Sequence, residues 1–299
     1  MKPRVVIVGM GEMGRAMRSL VGRSRHVVQC WDICPGKVQG QKSLFEIVPH
    51  AQFLFLCVPS WCLPGALKQV RPFVHRDTVA VTISKGLQQA RGETSYEFLT
   101  RELHAGQPIA YIGGAMLAEE LESGQPGFGV IAGKSAHVRT SVRNLFKGTR
   151  FSLEESSDVR GVSLASVLKN IYALGLGITQ GLNWGGNARA WFAAQAIDEL
   201  DRVVLLLNGK RQSSRGRAGL VDLLATGFSP LSKNVEVGGM LVRRKKILPP
   251  SEGLVSIQPL MALMPKSALG DFPLMRAIGA TVSGKEAAHD AFSKLLKYH

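Results

Sequence analysis

The chain has 299 residues, of which 45% are hydrophobic and 20% are charged, and its formal net charge is +15 at pH 7. This length predicts two domains, and the composition is typical of a globular protein and not of a repeat or low-complexity chain. The basic residues cluster in RSRH (23–26), GKRQSSRGR (209–217) and VRRKK (242–246). No aromatic residues are interleaved with them, so nucleic-acid binding by base stacking is disfavoured. We interpret these clusters as a solvated face or as an attraction for small anionic substrates.

Four cysteines, Cys30, Cys34, Cys57 and Cys62, all lie in the first quarter of the chain. The apolar run VVIVGM ends before Glu12 and is too short for a secretory signal, so we expect a cytoplasmic protein without disulfides. The spacing of the cysteines lacks a C-x-x-C pair, which disfavours a zinc site. We therefore predict core thiols and no metal.

The first predicted elements are a strand, a glycine-rich turn and a helix. The β-branched run RVVIV (4–8) is followed by GMGEMG (9–14), which matches the G-x-G-x-x-G pattern of dinucleotide-binding turns. We expect the first glycine to allow the tight turn, the second to let a pyrophosphate approach the backbone, and the third to allow close packing of helix on strand. The first amides and the dipole of the helix supply an anion site. The predicted cofactor loop consists of Gly9, Gly11, Glu12, Met13 and Gly14.

The next strand, HVVQCWD (26–32), ends in Asp32, which lies 23 residues after Gly9. A carboxylate at this position accepts hydrogen bonds from the adenosine ribose and repels a 2′-phosphate, so the predicted cofactor is NAD, with NADP disfavoured. Two alternatives stay open: Asp32 merely caps a loop, or Lys37 and Lys42 bind a phosphate.

Further strands alternate with helical stretches, which predicts a doubly wound α/β sheet of the Rossmann type. Pro59 lies in a V-P-S loop of the kind that covers a cofactor, and Lys85 ends a strand at the carboxyl edge, where such sheets bind ligands. The β pattern stops after Glu155, so we predict a dinucleotide-binding domain over 1–155 and an all-α substrate domain over 156–299. The remaining strand-bearing segments are 51–60, 77–86, 108–121, 127–134 and 148–155.

A single lysine stands out in the stretch LASVLKNIYALGLGITQGL (164–182). Lys169 is the only formally charged residue between Gly161 and Ala188. Either its amine extends along the apolar surface to water, or it is held in a cleft for chemistry. The stretch is long enough to span a bilayer, but its lysine, asparagine and glutamine residues disfavour a membrane span.

Nine motifs follow one another along the chain: GMGEMG (9–14), CVPS (57–60), SKG (84–86), GGAMLAEE (113–120), DVRGVSLASVLKN (158–170), GLNWGGNARA (181–190), AGLVDLLATG (218–227), SKN (232–234) and SEG (251–253). With these motifs in this order, the chain resembles the NAD(P)-dependent glycerol-3-phosphate dehydrogenases over nearly its whole length. The resemblance implies hydride transfer between NAD(P)H and dihydroxyacetone phosphate, a small anionic phosphorylated substrate, and a homodimer formed through the helical domain.

The resemblance also implies roles for individual residues. Lys169 matches the catalytic general acid/base, and its burial is expected to lower the lysine pKa towards neutrality. Asp222 orients or balances its ammonium group, and Lys85, close to both nicotinamide and substrate, stabilises the developing alkoxide. Further implied substrate contacts are Gly114, Asn170, Thr226, Ser232, Lys233 and Asn234, and further implied cofactor contacts are Pro59, Lys85, Ala118, Lys233 and Glu252.

Several residues depart from the family pattern. Lys233 replaces an arginine of the phosphate motif, which exchanges a bidentate contact for a point charge. Glu236 places an anion where the family has a further arginine, and Val221 replaces a glycine, which implies strain if that glycine is needed for a positive φ. The remaining departures are Met13, Ala115, Met116 and the absent arginine after the second strand, and the candidate compensating residues are Arg215, Arg217 and Arg243.

These departures leave two alternatives to glycerol-3-phosphate dehydrogenase activity. One is a related dehydrogenase for another small hydroxy or keto acid or phosphate, which keeps Lys169, Asn170 and Asp222 for proton transfer. The other is a non-catalytic NAD-binding sensor with a basic, nucleic-acid-binding surface, which predicts binding that falls steeply with salt.

Overall fold

The computed structural model describes residues 3–23, 26–245 and 247–296. It divides into two compact units. The first contains the chain up to Lys85 together with Glu93–Val159, and the second contains Gly86–Gly92 together with the chain from Arg160 onward. The predicted domain boundary between residues 155 and 156 stays a prediction. The assignment of Gly86–Gly92 to the second unit was not expected from the sequence.

Seven strands of the first unit form one sheet, in the order β2-β1-β3-β4-β7-β8-β9. The first five of these run parallel, β8 pairs antiparallel with β7, and β9 runs parallel to β8. The predicted doubly wound α/β sheet is confirmed. The seven strands of this sheet are β1 (Arg4–Val8), β2 (Val27–Trp31), β3 (Phe53–Leu56), β4 (Val79–Thr82), β7 (Ile109–Ala115), β8 (Gly127–Ala132) and β9 (Phe151–Ser156). Two short strands, β5 (Leu87–Gln88) and β6 (Glu93–Thr94), are not part of it.

The sheet is covered on both faces because its central strands are apolar at successive positions. All four residues of β3 are buried, and β1 is buried at every position after Arg4. Such continuous apolar runs are typical of parallel sheets with helices on each side. The helices of this unit are α1 (Glu12–Arg23), α2 (Leu44–Ile47), α3 (Leu63–Val70), α4 (Ser95–Glu102), α5 (Ala118–Glu122) and α6 (Ala136–Asn144).

The second unit consists mainly of helices, as predicted from the end of the β pattern. The helices are α7 (Val159–Gly181), α8 (Gly186–Leu206), α9 (Arg211–Arg215), α10 (Asp222–Gly227), α11 (Lys233–Val242), α12 (Glu252–Leu263), α13 (Pro273–Val282) and α14 (Ala288–Ser293). A π-helical turn, Arg217–Val221, joins α9 to α10.

The helix α7 forms the centre of the second unit. Within the described residues it is the one helix long and apolar enough to cross a membrane, and its most apolar window is completely buried inside the protein. A helix that is apolar nearly all round and surrounded by other helices is a core helix. The burial of α7 therefore supports the prediction that this stretch does not span a membrane.

Glycines let two other helices approach the backbone of α7. A Cβ added at Gly177 of α7 would overlap the carbonyl oxygen of Val235, and one added at Gly238 of α11 would overlap the carbonyl oxygen of Leu174. A Cβ at Gly253, in the first turn of α12, would overlap the carbonyl oxygen of Asn170. Any larger residue at these three positions would push α11 or α12 away from α7.

The expectation that all four cysteines are core thiols is wrong for two of them. Cys57 is buried and Cys30 is half-buried, but Cys34 and Cys62 are exposed. Cys34 precedes a short 3-10 turn, and Cys62 closes another one. Both therefore lie in loops after strands and not within the apolar strand pattern.

Glu199 of α8 is a buried carboxylate that joins three helices of the second unit. Its Oε1 accepts the backbone N–H of Leu274 at 2.7 Å, and its Oε2 accepts that of Met275 at 3.1 Å, so it caps the start of α13. The hydroxyl of Tyr172 on α7 donates to the same Oε2 at 3.1 Å. Burial raises the pKa of Glu199 to about 7, and the three hydrogen bonds offset this rise only in part.

We expect Glu199 to make the stability of the protein depend on pH. Its folded pKa lies above its ordinary value of 4.5, so its stabilising contribution is complete below about pH 4.5 and is lost as the pH rises through about 7. The loss amounts to as much as about 3 kcal/mol. The free energy of unfolding, measured with urea at pH 5 and pH 8, should therefore be higher for wild type than for Glu199→Gln by a larger margin at pH 5.

The glutamine variant is the matched control for this prediction because it keeps the shape of the side chain and does not titrate. It also loses one acceptor for the α13 amides, which costs about 1–3 kcal/mol at every pH. An equal margin between the two proteins at both pH values would show that Glu199 does not titrate in this range.

Candidate active site

The glycine-rich turn of the first unit has the geometry that its sequence predicts. Gly9 has φ of +93°, and an added Cβ would lie 2.6 Å from Val58 Cγ1. A Cβ at Gly14 would overlap the carbonyl oxygen of Gly9, so α1 packs closely on β1 only with glycine there. A Cβ at Gly11 would meet no protein atom within 4 Å. The predicted contact of Gly11 with a pyrophosphate stays a prediction, and its open surroundings fit that role.

Asp32 joins this turn to the end of β2. Its Oδ2 accepts the backbone N–H of Met10 at 2.7 Å, and its Oδ1 accepts that of Cys34 at 2.9 Å. Burial alone would raise the pKa of the Asp32 carboxyl, but these hydrogen bonds and the Lys37 ammonium 3.6 Å away hold the pKa below its ordinary value. Asp32 is therefore a fixed negative charge beside the turn. It caps loop amides, as one alternative predicted, and its contact with a ribose stays a prediction.

Lys85 and Gly114 are brought together at the ends of β4 and β7. The Lys85 ammonium donates a hydrogen bond to the Gly114 carbonyl oxygen at 2.7 Å. Gly114 has φ of +112°, and an added Cβ would lie 2.5 Å from the carbonyl oxygen of Phe128. Only glycine fits this position, which orients the carbonyl towards Lys85.

The other predicted cofactor residues of the first unit lie in loops or first helical turns. Glu12 and Met13 open α1, with Glu12 exposed and Met13 packed against the core of the unit. Pro59 precedes a 3-10 turn, and Ala118 is a buried residue that begins α5. Their contacts with a cofactor stay predictions.

Lys169 forms a buried cluster with two side chains of α10. Its Nζ lies 2.9 Å from Asp222 Oδ1 and donates to Thr226 Oγ1 at 2.7 Å. The Thr226 hydroxyl in turn donates to Asp222 Oδ1 at 3.0 Å. Asp222 and Thr226 face the same direction because they are four residues apart on one helix.

The alternative in which Lys169 extends to water is wrong. The residue is 5% exposed and Asp222 is 2% exposed. A buried ammonium group is tolerated when a carboxylate and a hydroxyl satisfy it, whereas removal of one partner leaves an uncompensated charge that costs about 3–5 kcal/mol. The cluster therefore holds an ammonium group, a carboxylate and a hydroxyl together in a nearly dry environment.

Asn170 and Asn234 form a second buried network beside this cluster. Asn234 Nδ2 donates to Asn170 Oδ1 at 2.9 Å, and the backbone N–H of Gly253 donates to Asn234 Oδ1 at 2.9 Å. Glu252 precedes Gly253 as the first residue of α12. The role of Gly253 was not predicted, although it belongs to the SEG motif (251–253).

The predicted phosphate motif occupies the first turn of α11. Ser232 caps this helix, and its Oγ accepts the backbone N–H of Val235 at 3.4 Å. Lys233 is exposed, and its Nζ lies 3.1 Å from Glu236 Oε2. The cation expected to bind a phosphate is thus paired with the anion that the sequence marked as a departure.

The other departures have simpler outcomes. Val221 has φ of −65° and ψ of −44°, so the strain considered for a valine at this position is absent. Arg215 pairs with Asp198 at 2.7 Å, and Arg211 pairs with Asp201 at 3.0 Å, so part of the basic cluster at 209–217 is neutralised. Arg217 is half-buried and Arg243 is exposed. Residues 24, 25 and 246 of the other basic clusters lie outside the described residues.

Two family models match the chain. The NAD-dependent glycerol-3-phosphate dehydrogenase N-terminus matches residues 32–139, and the corresponding C-terminus matches residues 158–293. A glycerol-3-phosphate dehydrogenase [NAD(P)+] from Rhizobium etli is 29% identical over 99% of this chain and 98% of its own length. One from Gloeobacter violaceus is 28% identical over 98% of this chain and 96% of its own length.

Solved structures show the same fold. The glycerol-3-phosphate dehydrogenase of Coxiella burnetii superposes with a TM-score of 0.87 at 24% identity and covers 99% of both chains. A ketopantoate reductase from Ralstonia eutropha gives a TM-score of 0.58 at 18% identity over 94% of this chain and 99% of its own. From the two family models and the full-length relatives, the chain belongs to the NAD-dependent glycerol-3-phosphate dehydrogenase family, which is a family of NAD(P)-dependent oxidoreductases.

Proposed function

We propose that the protein is an NAD(P)-dependent sn-glycerol-3-phosphate dehydrogenase in which Lys169 is the general acid and base. The observation that carries this proposal is the buried cluster of Lys169, Asp222 and Thr226 in a chain that belongs to this family. A fully buried lysine is rare unless it is paired, and here two neighbouring side chains hold its ammonium group in one place.

In the proposed reaction, the residues of the second unit move a proton while the substrate carbon is reduced. The glycine-rich turn and Asp32 would hold the nicotinamide cofactor, which would supply the hydride for C2 of dihydroxyacetone phosphate. Lys169 Nζ donates its proton to the ketone oxygen, so that a secondary alcohol forms and the lysine becomes a neutral amine. Thr226 and Asp222 keep Nζ in position, and Asp222 stabilises the ammonium when the proton returns. In the reverse direction the neutral amine takes the proton of the alcohol.

The proposed substrate contacts divide into two groups. Asn170, fixed by its hydrogen bond from Asn234, is positioned to orient the hydroxyl groups of the substrate. Ser232 and Lys233 face the phosphate in this proposal, and the role of Lys85 at the developing alkoxide stays an expectation from the family resemblance. These roles rest on the family resemblance and on the polar, partly buried positions of the side chains.

The proposed cofactor is NAD in preference to NADP. The support is the ionised Asp32 carboxylate beside the glycine-rich turn, which disfavours a 2′-phosphate. Ile33 follows it and is 71% exposed, so an uncharged side chain stands where an arginine would attract that phosphate. The positive charge of Lys37 partly offsets the negative charge of Asp32.

We also propose a homodimer and a cytoplasmic location. Several apolar side chains of the second unit are exposed in one stretch of chain, which supports a partner surface there. The complete burial of α7 supports a protein that does not enter the membrane. The exposed residues of this stretch are Val221, Leu224, Phe228 and Leu231.

A second candidate substrate is favoured by one observation. The Lys233 ammonium is paired with Glu236, and it cannot make the bidentate contact of the arginine in the family motif. It is therefore expected to bind a phosphate more weakly than that arginine would. A dehydrogenase for another small hydroxy or keto acid remains the alternative. NADH oxidation with dihydroxyacetone phosphate beside a panel of keto acids distinguishes the two.

Lys169→Gln is expected to lower kcat for dihydroxyacetone phosphate reduction by about 100- to 10,000-fold, because the general acid is lost. NADH binding, measured by fluorescence titration, should change by less than about 2-fold, because Lys169 is placed in the proton-transfer cluster and not in the glycine-rich turn. Retention of turnover within about 10-fold of wild type would contradict the proposed role.

The paired variant Lys169→Gln/Asp222→Asn controls for unfolding. The single variant leaves the buried Asp222 carboxylate without the compensating charge of Lys169, and it should lose about 3–5 kcal/mol of stability. The double variant removes both charges and keeps hydrogen-bonding groups, so it should recover most of that stability and remain inactive. Recovery of activity together with stability would mean that Lys169 is structural.

The cofactor preference is expected to follow the charges beside the glycine-rich turn. We expect Asp32→Asn to lower the ratio of kcat/KM for NADH to that for NADPH by about 10-fold, because the repulsion of a 2′-phosphate is removed. Lys37→Met should raise the same ratio by about 3-fold, because it removes the cation paired with Asp32. Steady-state kinetics with both cofactors measures the ratios, and an unchanged ratio in Asp32→Asn would refute the assignment.

A further inference from the structure

The first turn of α11 carries two opposite charges on neighbouring positions of one face. Lys233 and Glu236 are three residues apart, and their Nζ and Oε2 atoms are 3.1 Å apart. Their side chains are 56% and 47% exposed, so the pair lies at the surface. The two charges therefore cancel within the first turn of α11, to which the family resemblance assigns the binding of the substrate phosphate.

This turn is held against the proton-transfer cluster by a buried side chain. Asn234, between the two charged residues, bonds to Asn170, which is adjacent in sequence to Lys169. The start of a helix favours an anion, and the Ser232 hydroxyl accepts the N–H of Val235. A phosphate that reaches this turn thus meets favourable helix amides and one cation, but also the Glu236 carboxylate.

We propose that Glu236 is a specificity-determining residue that competes with the substrate phosphate for Lys233. The inference rests on the proposed function and deepens it. Glu236 occupies the Lys233 ammonium in the absence of substrate, and a phosphate has to displace it. The consequence is a site that distinguishes only weakly between a phosphorylated three-carbon ketone and its unphosphorylated counterpart.

The exposure of the pair makes such competition physically reasonable. Exposed pairs at this spacing contribute only a few tenths of a kcal/mol, so a phosphate dianion is able to displace the carboxylate. After displacement, Glu236 remains within the same helical turn and repels the dianion. The competition therefore weakens phosphate binding without preventing it.

Glu236→Gln tests the proposal because it removes the charge and keeps the shape. The measured quantity is the ratio of kcat/KM for dihydroxyacetone phosphate to that for dihydroxyacetone. We expect this ratio to rise by about 3- to 10-fold, because only the phosphorylated ketone gains from the loss of repulsion. Glu236→Asp keeps the charge, so its ratio should stay within about 2-fold of wild type.

A matched control separates a local effect from a change in net charge. Glu286 forms a second exposed pair with Lys294, at 2.6 Å, and contributes nothing to the sites described above. Glu286→Gln changes the net charge by the same amount and should leave the ratio at the wild-type value. An equal rise in Glu286→Gln and Glu236→Gln, or no rise in Glu236→Gln, would overturn the proposal.

A binding measurement keeps the proposal testable if the proposed activity fails. Inorganic phosphate is titrated into wild type and Glu236→Gln by calorimetry, which requires no turnover. If wild type does not reduce dihydroxyacetone phosphate but Glu236→Gln binds phosphate about 3- to 10-fold more tightly, the proposed function fails and the competition stands. Equal phosphate affinity in the two proteins, with normal turnover, would refute the competition and leave the function intact.

Discussion

Lys169 and Asp222 place two opposite charges where almost no water reaches, and the second unit is organised so that neither is left alone. The attraction across 2.9 Å and the hydrogen bonds of the Thr226 hydroxyl to both groups compensate for the lost hydration. The pair also constrains which helix packs against α7. Because α7 carries a buried ammonium group, α10 has to lie beside it at the position where Asp222 and Thr226 contact Lys169.

The helices α11 and α12 also lie close to α7, because glycines remove the side chains that would separate them. Gly177 and Gly238 allow the backbones of α7 and α11 to touch, and Gly253 allows the start of α12 to reach the carbonyl of Asn170. Only at this distance does Asn234 bridge Asn170 and the Gly253 amide. The glycines of the second unit thus allow Asn234 to reach Asn170, and Asn234 orients the side chain of Asn170, which is next to Lys169 in sequence.

Much of the fold follows from local patterns, whereas several details of the site do not. The glycine turn and the seven sheet strands are readable because apolar runs and glycine spacing reflect interactions close in sequence. Lys169 is conspicuous because its charge interrupts an apolar helix. The bond from Gly253 to Asn234 and the exposure of Cys34 depend on which distant elements meet. The burial of Lys169 was open from sequence alone because a lysine in an apolar helix is able either to reach water or to find a partner.

The distribution of the departures from the family motifs has a physical reason. Lys169 and Asn234 match the family and are buried, so a substitution at either position would leave an unpaired polar group and destabilise the fold. Lys233 and Glu236 differ from the family and are about half exposed, so their substitution costs the fold little. The fold therefore constrains Lys169 and Asn234 more strongly than Lys233 and Glu236. The proposed proton transfer rests on a buried position that the fold constrains, whereas the proposed preference for a phosphate rests on two exposed side chains that the fold leaves free to vary.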